Sequence, residues 1–153
     1  MVSREEVDAA VEKAKEILSD CGIDLDTTAD QLIDWFDTEL PIPDIALGDV
    51  VLNPLLVVHE LVEIDEVLKM GLEITKDVII RNPEKVDDAH LKAAKVELMV
   101  ARSLGAVEHL RERVKDMEKR CVDQTLAESR RAEYGRLVAE AKDHLLYLQG
   151  RSA

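Results

Sequence analysis

Apolar residues recur at helical spacing from the first turns of the chain. Val7, Ala10, Ala14, Ile17 and Leu18 fall on one stripe of a wheel with 3.6 residues per turn. Ser3 and Glu6 stand three apart ahead of that stripe, the spacing of a capping box, and Gly22 supplies a left-handed stop. Thr28 and Gln31 repeat the box before a short helix containing Leu32, Ile33, Trp35 and Phe36. Trp35 and Phe36 are its expected core anchors, and Pro41 and Pro43 end it. The segment PIPDIALGDVV, between Leu40 and Asn53, has no helical period. It is apolar for a loop, so it is expected to pack across helices, and its length suits a cover over a site.

Asn53 and Pro54 form an N-cap and first-turn pair for a helix running to about Met70 and closed by Gly71. Residues 72–80 leave a short helix and an extended connector equally open. Asn82 and Pro83 open the next helix, and helical patterning continues to about residue 149. One rod of that length is unusual in so small a chain, so a break is expected near Gly105 and a turn near residues 121–125. The last helix is expected to bury Leu126, Leu137, Ala141, Leu145 and Leu148, with Tyr134 on the same stripe. No strand alternation persists. The pattern predicts an all-α fold over residues 1–153. It is a single helical bundle with four main helices, short accessory helices and a long C-terminal helical tract.

Composition narrows the class. Hydrophobic residues make up 46% and charged residues 35%, as in a folded chain; aromatics supply 3%, so Leu, Val, Ile and Ala must build the core. The 33 Asp and Glu against 20 Lys and Arg leave a formal charge of -13, which disfavours nucleic acid and anionic membranes as partners. Charge interrupts every long apolar stretch, so no spanning segment or signal peptide is expected, and a cytoplasmic location follows. Cys21 and Cys121 are single and far apart, which predicts free, partly buried thiols. There is no glycine-rich phosphate loop, dinucleotide fingerprint or nucleophile elbow.

Four polar residues break the helical pattern in an informative way. On the helix after Asn53, His59, Glu63 and Glu66 lie opposite the principal stripe of Val57, Leu61, Ile64 and Leu68. Apolar Leu55, Leu56, Val58, Val62 and Val67 flank them, so the helix is apolar nearly all round, as a central helix should be. On the helix after Asn82, Lys85, Lys92, Lys95 and Arg102 mark the solvated side. Val86, Ala93, Ala94, Ala101 and Leu104 lie opposite, with His90 and Glu97 among them. A buried carboxylate needs a partner, so Glu97 must be paired, protonated or metal-bound. His90 and Glu97 are two turns apart, about 10 Å along the axis. The natural ligand set is therefore His59, Glu63 and His90, with Glu97 orienting an imidazole and Asp87 close by. Imidazole with carboxylate suits zinc, iron or manganese. A metal-free hydrogen-bonded network explains the same residues, and the pattern leaves both open.

The stretch VVHELVE resembles the metal-binding helix of zinc metallopeptidases, whose motif is His-Glu-x-x-His. The resemblance implies His59 as a zinc ligand and Glu60 as general base; position 63 carries Glu where that family has its second histidine. The bundle context also resembles ferritin-type diiron proteins, whose Glu-x-x-His spacing Asp87 and His90 imitate, although no second copy of the motif exists.

Two functions follow. In the first, the protein binds a divalent metal through His59, Glu63 and His90, with Glu60 and Glu97 as candidate catalytic groups handling protons in a hydrolytic reaction. In the second, it is a non-enzymatic interaction module that completes its burial as a homodimer or other homo-oligomer through the long C-terminal tract.

Overall fold

The computed structural model describes residues 2–40 and 45–151. Eight helices and no strand occur among the described residues: α1 (Arg4–Asp20), α2 (Ala29–Phe36), α3 (Leu47–Val50), α4 (Pro54–Lys69), α5 (Val78–Arg81), α6 (Pro83–Leu104), α7 (Val107–Cys121) and α8 (Glu128–Arg151). The all-α class is as expected. The helices belong to two compact units, Met1–Ala93 and Ala94–Ala153, with α6 contributing its first half to one and its second half to the other.

Local chemistry sets the helix ends. The Ser3 hydroxyl accepts from the Glu6 backbone and the Glu6 carboxylate from the Ser3 backbone; Thr28 and Gln31 do the same for α2. Asn53 caps α4 by accepting from Leu55 N, with Pro54 at the first helical position. Gly22 and Gly71 take φ of 82° and 85° just past the ends of α1 and α4, a conformation that favours a residue without a Cβ. Asn82 turns its side chain back to donate to the Val78 carbonyl at 3.0 Å, closing α5.

In the first unit α4 is the central element, and α1, α2 and α3 all pack on it. Val7, Ala14 and Leu18 from α1, Leu32 from α2 and Val57, Leu61 and Ile64 from α4 are buried. The Thr27 hydroxyl, itself buried, donates to the Leu61 carbonyl at 3.1 Å and ties the α1–α2 connector to the middle of α4. This surrounding explains why α4 is apolar nearly all round. The segment expected to be irregular contains the short helix α3; its residues 41–44, with the expected stops Pro41 and Pro43 and part of the supposed cover, lie outside the described residues. Trp35 is buried, whereas Phe36 is only half-buried.

The long C-terminal tract resolves into α6, α7 and α8. Gly105 stands at the first break with φ of 67°, and residues 122–127 connect α7 to α8. In the second unit α7 packs against α8 and buries Leu110, Val114 and Met117. Tyr134, Leu137, Ala141 and Leu148 are buried on α8 as expected, but Leu126 and Leu145 are only half-buried and Leu104 is exposed. Leu126 precedes α8, outside its regular stripe, and Leu104 is the last residue of α6. Cys21 and Cys121 are free and partly buried, as expected. No helix among the described residues is long and apolar enough to cross a membrane.

Candidate metal centre

His59 and Glu63 are one turn apart on α4, so a single helical face presents both. That face points inward: His59 is 4% exposed and Glu63 6%. His90 reaches them from the first half of α6, where Val86, Ala89 and Ala93 are buried around it in sequence. His59 Nε2 lies 3.1 Å from Glu63 Oε2 and 3.1 Å from His90 Nδ1. Glu63 Oε2 and His90 Nδ1 are 3.6 Å apart, which closes a triangle of three ligand atoms. The two rings meet edge-on, with centroids 4.7 Å apart and planes at 61°. The His90 side chain keeps 29% of its surface exposed, so the cluster is dry on the α4 side and open along the His90 edge.

Burial pushes the Glu63 carboxyl up, but hydrogen bonds from His59 and His90 and the charge they carry together outweigh it and hold the group at about 2. Glu63 is thus an ionised carboxylate in a nearly dry site. Such a charge is costly without a counter-charge, and the imidazoles supply one when protonated. A 3.1 Å contact between two ring nitrogens requires one to carry hydrogen and the other to present a lone pair. Without metal, a hydrogen on one of the two ring nitrogens bridges that contact.

The other two predicted site residues have different neighbours. Glu60, next to His59 in sequence, accepts a hydrogen bond from Trp35 Nε1 at 3.2 Å and so joins α4 to α2. Glu97 is fully buried in the second unit. Its Oε2 accepts from His109 Nε2 at 2.6 Å and lies 2.8 Å from Arg113 Nε. The Arg113 contact is an ion pair without an aligned hydrogen bond. Glu97 was expected to orient an imidazole of the ligand set; the imidazole it meets is that of His109. Among the described residues, the ligand atoms that converge are those of His59, Glu63 and His90; Glu60, Asp87 and Glu97 are outside that set.

Helical patterning by itself does not join His109 to Glu97. The signal was present: His109 and Arg113 are four apart on α7, and Glu97 is an acid on an apolar stripe lacking an assigned cation. His144 is half-buried, and its imidazole titrates lower than usual because of burial and the nearby Arg102 charge. The chain matches no protein-family model, no curated protein and no solved structure, so the reading of this centre rests on its own geometry.

Proposed function

We propose that the protein binds one divalent metal ion through His59 Nε2, Glu63 Oε2 and His90 Nδ1. The supporting observation is the ligand triangle, with sides of 3.1, 3.1 and 3.6 Å. Its circumscribed circle has a radius of about 1.9 Å, so an ion with bonds of about 2.0–2.1 Å sits somewhat less than 1 Å above the plane. That is close to the position of a tetrahedral ion above one face of its ligands. Two imidazoles and one carboxylate suit zinc, and the same set serves ferrous iron and manganese.

Three protein ligands leave a coordination position for water, as in catalytic rather than structural zinc sites. The partly exposed His90 edge is the route by which water reaches it. Lowering the pKa of that water makes hydrolysis the reaction class this reading favours. Metal analysis by inductively coupled plasma mass spectrometry on chelator-free protein tests it, beside His59→Ala and His90→Ala. Near-stoichiometric metal in the parent, lost from both variants, is the expected result. No metal retained after incubation with zinc, manganese or anaerobic ferrous iron sinks the reading.

A second reading, a homo-oligomeric interaction module, is favoured by exposed apolar residues in the second unit. Met99 and Leu104 on α6 and Leu146 and Tyr147 on α8 all face solvent in the isolated chain. Light scattering over a concentration series tests it, and a monomer at all concentrations rejects it.

A further inference from the structure

The formal charge of -13 is divided unevenly between the two units. Met1–Ala93 carries 23 acidic against 8 basic residues, a formal -15, whereas Ala94–Ala153 carries 10 against 12, a formal +2. The three converging ligands all belong to the acidic unit. The imbalance persists close to them. Helix α4 holds Glu60, Glu63, Asp65 and Glu66 against Lys69 alone, and residues 83–93 of α6 hold Glu84, Asp87 and Asp88 against Lys85 and Lys92. Lys92, two residues from His90, is compensated by Glu66 at 3.5 Å, and Lys69 by Asp65 at 2.7 Å. A bound dication offsets only two of the four excess negative charges on these two segments.

Resting on the metal reading, we propose that the open coordination position selects its ligand by charge: it takes uncharged or cationic groups, such as an amide carbonyl or a neutral nitrogen donor, and disfavours phosphate and other anions. The negative field concentrates dications and repels anions over the Debye length, about 30 Å at 0.01 M salt and about 8 Å at 0.15 M. The local shortage of uncompensated lysine or arginine reinforces that bias, because anionic substrates are ordinarily held by Arg or Lys forks. Within a hydrolytic reaction the substrate is then neutral or cationic at the group that meets the metal, not a phosphoester.

Cobalt(II)-loaded full-length protein tests this through its visible d–d bands, which respond to a change of the fourth ligand. Imidazole at pH 8, where it is neutral, and thiocyanate and inorganic phosphate are titrated in 0.01 M and 0.15 M sodium perchlorate. The expected result is imidazole binding that changes less than about twofold with salt, and thiocyanate or phosphate binding that tightens roughly tenfold as salt screens the field. Phosphate binding that is tighter than imidazole at low salt overturns the proposal. So do bands that respond to no added ligand, since the position is then closed. Absence of d–d bands, or bands unchanged in His59→Ala, shows instead that the metal reading itself fails and takes this proposal with it.

Discussion

His59 Nε2 lies 3.1 Å from His90 Nδ1, although the two residues are 31 positions apart and belong to different helices. Both nitrogens also approach the same Glu63 oxygen, so the three ligand atoms converge on one small space.

Removing any one ligand should weaken metal binding by at least about 100-fold, since even changes outside the ligand shell cost 10–100-fold at such sites. Isothermal titration with zinc on His59→Ala, Glu63→Ala and His90→Ala checks this. If one variant keeps parental affinity, its residue is not a ligand.

Glu63 also predicts a specific acid sensitivity. Its folded value, about 2, lies below the ordinary carboxyl value of 4.5, so its contribution to stability is present above pH 4.5 and is lost as pH falls through 2. The contribution is on the order of 3 kcal/mol. Urea unfolding of metal-free protein between pH 5 and 2.5 should show a steeper loss of stability in the parent than in Glu63→Gln. Parallel curves would mean that Glu63 is not held ionised by the two histidines.

Glu97 makes a prediction of the opposite kind, since it concerns stability without metal. Replacing it with Ala leaves His109 and Arg113 partly buried without their shared anion, and breaking such a cluster costs about 3–5 kcal/mol. The urea midpoint should fall accordingly while zinc affinity stays within a factor of about two or three. A loss below about 1 kcal/mol would show that the cluster adds little to the second unit.

Glu60 separates a structural role from a catalytic one. Trp35 is the chain's single tryptophan, and its indole donates to Glu60, so Glu60→Gln should shift Trp35 emission and leave zinc affinity within about twofold. A loss of hydrolytic turnover without a change in affinity would instead assign Glu60 a proton-handling role.

His144 should titrate below 6.5 by nuclear magnetic resonance, because burial and Arg102 disfavour its charged form. Its folded value is depressed, so any stability it contributes is present above 6.5 and is lost as pH falls. A measured value above 6.5 would place Glu140 and Asp143, which act in the other direction, in control.

Helix starts and stops were legible in the sequence because they are local. Ser3 with Glu6, Thr28 with Gln31, Asn53 with Pro54, and Gly22, Gly71 and Gly105 each act within a few residues of backbone, so their types alone predict where α1, α2 and α4 begin and where helices turn. The apolar surround of His59 and Glu63 was equally plain, since a central helix has no solvated face to spare. Which acid meets which histidine was a different matter. Helix period puts Glu97 on an apolar stripe of α6 and His109 on α7 after a glycine turn, but their 2.6 Å contact depends on how the chain folds back at Gly105. Likewise, Glu60 adjoins His59 in sequence, yet successive residues on a helix point about 100° apart, and packing against α2 gives its carboxylate to Trp35. The sequence by itself determined the main helices and where polar residues would fall on their apolar faces. Tertiary structure alone decided the pairing, because a side chain's partner across a helix interface depends on axial register and crossing geometry, which no local residue pattern encodes.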